Sequence, residues 1–107
     1  MSFRWPNKDP DEQLDYSIDW SRFLGSATIS SVVWSVNNAS GVKTTITGGA
    51  TVNGIQNVSQ TQSSDNKTAT INIGLGTNNV EYTFFCRITD STGSTAERSV
   101  KLKIREK

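Results

Sequence analysis

Apolar and polar residues alternate with period two along much of the chain, most clearly in its last quarter, Val80 to Arg105. There Tyr82, Phe84, Cys86 and Ile88 take every second position, and Val100, Leu102 and Ile104 do so again beyond the polar run Asp90-Ser91-Thr92-Gly93-Ser94. Such alternation buries one face of a strand, and small polar residues with a glycine suit a short connection, so the stretch predicts a long β-hairpin. Upstream, Leu14, Tyr16, Ile18 and Trp20 alternate with Asp15, Ser17 and Asp19, which predicts a first strand with both aspartates on its outward side. Thr28 to Val36 predicts a second strand, with Val32, Trp34 and Val36 inward. Asn37 to Gly54 is rich in turn residues, and only Thr44 to Thr47 has the character of a short edge strand. Ile55 to Gln62 and Thr68 to Leu75 predict two more strands joined by a turn, with Ala69, Ile71, Ile73 and Leu75 inward in the second.

About seven strands with turns at this spacing predict an all-β chain folded as a single immunoglobulin-like β-sandwich of antiparallel strands. Trp34 is the expected centre of the core, with Cys86 opposite it and Tyr82 or Phe84 in the place of a corner aromatic. The sandwich is expected over residues 14–107, preceded by an extended arm over residues 1–13. In that arm Pro6 and Pro10 fix φ and remove backbone donors, so it is read as lacking regular structure. It nevertheless carries Phe3 and Trp5, which either cover one end of the domain's own sandwich or dock on a neighbouring subunit.

Composition agrees with this reading. The 107 residues are enough for one core, hydrophobic content is 34%, and Ser, Thr and Asn together make up about a third of the chain. A net charge of +1 lacks the basic bias that binding to nucleic acid or to a membrane surface requires, so neither partner is expected. No apolar run has the length of a leader or a membrane span, which predicts a soluble product that stays in the cytoplasm where it is made. Cys86 is the one cysteine and reads as a small buried hydrophobe. The triplets beginning at Asn38, Asn57 and Asn66 fit a glycosylation pattern but are read as unmodified.

The chemistry-bearing residues point away from catalysis. Histidine is absent, which removes the commonest general base and metal ligand. Asp9, Asp11, Glu12, Asp15 and Asp19 form the one dense acidic group, without the glycine-containing spacing of a calcium loop. Gly74-Leu75-Gly76 lacks the lysine and helix of a phosphate loop. No catalytic, cofactor-binding or metal-binding residue is assigned, and no cofactor is expected. Charge is instead segregated: acidic residues precede Trp20, and Lys101, Lys103 and Arg105 lie on one outward face of the last strand. One reading makes this edge protection together with local pairing between first and last strands. The other makes it intermolecular, an acidic edge of one copy meeting a basic edge of the next.

The run Trp5-Pro6-Asn7-Lys8-Asp9-Pro10-Asp11-Glu12, continued by Leu14-Asp15-Tyr16 and Ile18-Asp19-Trp20, resembles the fiber-tail adaptor proteins of tailed bacteriophages, and Val100 to Ile104 is similar to that family's terminal strand. The resemblance implies a structural virion protein with an immunoglobulin-like domain, placed in several copies on the tail to give tail fibers an attachment point. It implies homo-oligomerisation, other tail proteins and the fiber as partners, and a location in the virion after synthesis in the host cytoplasm. It brings no catalytic residues. The candidate assembly residues are Phe3, Trp5, Asp9, Asp11, Glu12, Asp15, Asp19, Lys101, Lys103 and Arg105. A capsid decoration protein and a host-surface or carbohydrate-binding module are the alternatives, the latter disfavoured because Phe85 alone among the strand aromatics points outward.

Overall fold

The structure is a computed structural model that describes residues 3–37 and 40–106. Asn38 and Lys107 therefore lie outside the described residues, as does the side chain of Phe3. Among the described residues nine strands form two sheets packed face to face. They are β1 (Phe3–Arg4), β2 (Leu14–Asp19), β3 (Ile29–Asn37), β4 (Lys43–Thr45), β5 (Thr51–Val52), β6 (Ile55–Gln62), β7 (Thr68–Leu75), β8 (Glu81–Asp90) and β9 (Thr95–Lys103). One sheet runs β1-β9-β8-β3-β4 and the other β2-β7-β6-β5. After β2, Ser21–Leu24 forms a single helical turn, α1, which tucks Leu24 into the core.

The β8–β9 hairpin pairs from Glu81↔Lys103 to Thr89↔Thr95, and β3 lies on the other side of β8 with Trp34 opposite Cys86. The period-two pattern is obeyed: Tyr82, Phe84, Cys86, Ile88, Val100 and Leu102 are buried against Ile71 and Ile73 of the opposing sheet in one continuous core. Tyr82 is the corner aromatic. Its hydroxyl accepts a hydrogen bond from the Thr77 N–H (3.0 Å) and donates to the Asn53 carbonyl (2.7 Å), which ties the loop before β8 to the β5–β6 turn.

Three expectations are corrected. The arm is not irregular: β1 pairs in parallel with β9 (Phe3↔Val100, Arg4↔Lys101), and Lys8 bridges Ile104 in the same sense, while the pairings among β2 to β9 are antiparallel as expected. Prolines at 6 and 10 permit this because the arm's ladder bonds come from non-proline groups, Trp5 N–H to Lys101 and Lys8 N–H to Lys103. Consequently this half of β9 is no open edge needing lysines to guard it. Nor do the first and last long strands pair, since β2 pairs with β7 and lies in the other sheet from β9. Finally, Leu75 does not continue the inward alternation of β7: its φ is +58° and it is 52% exposed. The left-handed residue turns the chain out of the ladder, and at Gly76 (φ +109°) an added Cβ would lie 2.9 Å from Ile104.

Candidate assembly surface

The ten candidate residues do not form one patch. Trp5 is only 9% exposed and belongs to the domain's own core, stacked on Tyr16 with centroids 4.8 Å apart and leaning on Trp34 and Phe84 at 6.1 and 5.8 Å. Its remaining edge lines a groove of about 320 Å³ between β1, β9 and β2, together with Ile18, Arg98 and Val100. Phe3 contributes backbone to β1 beside it. Burial, and next the negative charge of Glu12, push the Tyr16 hydroxyl up to about 12, so it stays protonated and donates to the Pro6 carbonyl at 3.2 Å.

Asp9, Asp11 and Glu12 build the turn that carries the chain from one sheet to the other. Glu12 accepts from the Asp9 N–H (2.8 Å), the Glu12 N–H donates to the Asp9 carbonyl (3.0 Å), and the Asp9 carboxylate accepts from the Asp11 N–H (2.8 Å). This is the local side-chain-to-backbone bonding that acidic residues offer a turn. Beside it lies Lys8, which has no exposed surface at all. Its ammonium donates to the Leu75 carbonyl (2.5 Å) and to that of Asp9 (2.9 Å), fastening the arm to the end of β7. A lysine between a proline-flanked arm and an acidic run gives no pattern from which such burial can be read.

Asp15 and Asp19 do share the outward side of β2, with Ser17 between them. Asn72 donates to Asp15 at 2.7 Å, and Asp19 accepts from the N–H and the hydroxyl of Ser21, which hold its carboxyl below the usual carboxylate range. Lys101 and Lys103 lie on the outward side of β9, and Arg105 is exposed just beyond it, its N–H bonded to the Lys8 carbonyl. Because β2 and β9 are in different sheets, the acidic and basic groups stand on opposite outer faces of the sandwich instead of on neighbouring edges.

The basic face has members that charge segregation along the sequence overlooked. Register places Arg4, Lys43 and Arg87 on it with Lys101 and Lys103. Its carboxylates are both engaged, Glu81 by Arg4 and Glu97 by Lys43, each at 2.6 Å. The hydrogen bond from Arg4, and then the charges of Lys101 and Lys103, hold the Glu81 carboxyl below its ordinary range. The Lys43 ammonium also lies 5.2 Å from the centroid of Phe85, the outward aromatic of β8. Parity within the β8–β9 hairpin was a signal for Arg87 and Glu97; the long-range partners of Arg4 and Lys43 had none.

Cys86, the strongest intrinsic nucleophile here, is fully enclosed, and burial pushes its thiol up to about 12. Among the described residues no group of three or more His, Cys, Asp or Glu is placed to hold a metal ion, and no helix is long and apolar enough to cross a membrane.

Comparison with known proteins agrees with the resemblance in the opening residues. No curated protein matches the chain. Residues 8–103 match the family described as podophage GP4 fiber-tail adaptor protein gp77, which takes in every strand from β2 to β9. The chain thus belongs to the podophage GP4 fiber-tail adaptor family, structural proteins of the phage tail.

Proposed function

We propose that this protein is a non-enzymatic adaptor, present in several copies on a phage tail, through which tail fibers are attached. The observation that carries the reading is the family match, which extends through every strand from β2 to β9. The fold is compatible with it: with Trp5 and Lys8 drawn inside, the surfaces left for recognition are the outer sheet faces and the loops. The strand order supports an immunoglobulin-like description. In such sandwiches strands B, E and D face strands C, F and G, and here β2, β7 and β6 face β3, β8 and β9, with Trp34 on the C-type strand and Cys86 on the F-type strand. Its partners on this reading are further copies of itself, the tail proteins beneath and the fiber above, and its place is the virion.

Phage particles assembled without the protein test this directly. Tails that form but carry no fibers in electron micrographs, and regain them when the purified protein is added, are the expected result. Tails fully fibered in its absence would overturn the adaptor role.

A further inference from the structure

We infer that the two outer faces of the sandwich are the two halves of one contact: the outer face of the five-stranded sheet of one copy docks on the outer face of the four-stranded sheet of the next. The inference rests on the multi-copy adaptor reading and adds which surfaces meet and in what sense.

Charge decides the pairing. On the five-stranded sheet Glu81 and Glu97 are taken up by Arg4 and Lys43, so Arg87, Lys101 and Lys103 set the sign of the face as positive. On the other side no residue of β2, β5, β6 or β7 is a lysine or arginine; Asp15 stands among Ser17, Thr70 and Asn72, while Asp19, opposite Thr68 at the end of β2, has one cation beside it, Arg98, which reaches round from β9 and donates to its backbone carbonyl at 3.2 Å. Both aspartates are already held by neighbours, Asp15 by Asn72 and Asp19 by Ser21, so ordering them at an interface costs little side-chain freedom. The basic face also offers apolar contact at its middle, where Val33 is 44% exposed and lies one rung from Phe85. Charges at the rim steer and set register, while such apolar groups supply affinity.

The same charges exclude the symmetric alternative. A two-fold dimer through either face would set Arg87, Lys101 and Lys103 against their own copies, or Asp15 and Asp19 against theirs, and like charges placed together disfavour a partner. The two outer faces point in opposite directions because the inner faces of the sheets pack on one another across the core. A contact between them is therefore head-to-tail, and its repetition gives a ring where the rotation closes and an open stack where it does not. This replaces an edge-to-edge contact, since β9 is covered by the arm at Val100 and Lys101.

The test is a mixing experiment on the full chain. One variant, Lys101→Glu with Lys103→Glu, reverses the basic face; a second, Asp15→Lys with Asp19→Lys, reverses the acidic one. Light scattering behind a sizing column, at low salt and over a concentration series, is expected to show the wild type associating and each variant alone associating at least about tenfold more weakly. An equimolar mixture of the two is expected to regain association, because each supplies the face the other lacks. Circular dichroism verifies folding, and Arg87→Glu with Asp15→Asn, made as separate single variants, repeats the comparison if a double variant misfolds. A monomeric wild type, variants that associate like the wild type, or a mixture that gains nothing would each overturn the contact. Fibers lost from tails lacking the protein, with no self-association here, would leave the adaptor role standing without this contact. A successful mixing experiment with fully fibered tails would do the reverse.

Discussion

Trp5 stacks on Tyr16 with ring centroids 4.8 Å apart, so an aromatic from the proline-flanked arm of one sheet is locked onto the first long strand of the other. The contact closes the sandwich on the side where β1 covers β9. Trp5→Ala removes a ring that also leans on Trp34 and Phe84, and large aromatic deletions in a core cost about 3 to 5 kcal/mol. Equilibrium denaturation should show a loss in that range, with Trp5→Phe losing clearly less. A change under about 1 kcal/mol for the alanine variant would mean that the arm is not part of the cooperative unit.

Lys8 carries the next prediction. Its enclosed ammonium satisfies the Leu75 and Asp9 carbonyls, and Lys8→Met keeps the volume of the stem while leaving those acceptors without this donor. An unsatisfied buried group costs about 1 to 3 kcal/mol, and the denaturation midpoint should fall accordingly. Amide hydrogen exchange should quicken most at Trp5 and Lys8, whose N–H groups bond to β9, because the fastening at the end of the arm is what has been weakened. Unchanged exchange at both would argue that β1 holds itself in place.

These two residues also mark where the sequence stopped being informative. The β8–β9 hairpin was legible because period two leaves a repeated mark over nine paired positions, from Glu81↔Lys103 to Thr89↔Thr95. The β1–β9 pairing leaves none: it is parallel, covers Phe3 and Arg4 alone, and joins residues from opposite ends of the chain. Leu75 was assigned inward by parity, which fails wherever a residue enters the left-handed region. For the surface, parity put Asp15 and Asp19, and likewise Lys101 and Lys103, on outward sides. That these sides belong to different sheets depends on strand partners chosen by long-range packing, which the local pattern does not encode.

Cys86 should be inert in the native state. Enclosure pushes its thiol up to about 12, so at pH 8 almost no thiolate is present and no reagent reaches it. Ellman's reagent should react only as the protein unfolds, with the labelling midpoint following the circular dichroism transition across a denaturant series. Prompt labelling in buffer would show that the β3–β8 region opens locally.

Asp90 predicts a pH dependence of stability on the acid side. Its carboxylate accepts from the Thr92 hydroxyl (2.7 Å) and from the N–H groups of Thr92 and Ser94 (both 2.9 Å), closing the β8–β9 turn. These bonds, the Thr92 hydroxyl foremost, lower its pKa from 3.8. A depressed folded-state value means the unfolded chain binds the proton more readily, so the contribution is complete above 3.8 and is lost as pH falls through the lower folded value. Melting temperature followed from pH 7 downward should drop in that window, and Asp90→Asn should be less stable at neutral pH with a shallower acid slope. Parallel curves for the two proteins would remove Asp90 from the account of acid sensitivity.

Leu75 and Gly76 give a contrast between two adjacent left-handed residues. A side chain in that region costs about 1 to 2 kcal/mol, and Leu75 pays it at φ +58° while remaining half exposed, so little burial compensates. Leu75→Gly relieves the strain but adds freedom to the unfolded chain, which offsets about 0.4 to 1 kcal/mol of the gain. Leu75→Asn avoids most of that offset because asparagine tolerates the region, as Asn53, Asn66 and Asn79 already do in this fold. The expected outcome is a small stabilisation for both variants, larger for asparagine. Gly76→Ala should move the other way, since its Cβ would meet Ile104 at 2.9 Å as well as adopt φ +109°. Denaturation of the three variants side by side separates the causes: if Leu75→Asn destabilises as much as Gly76→Ala, the leucine side chain has a packing role that outweighs backbone strain.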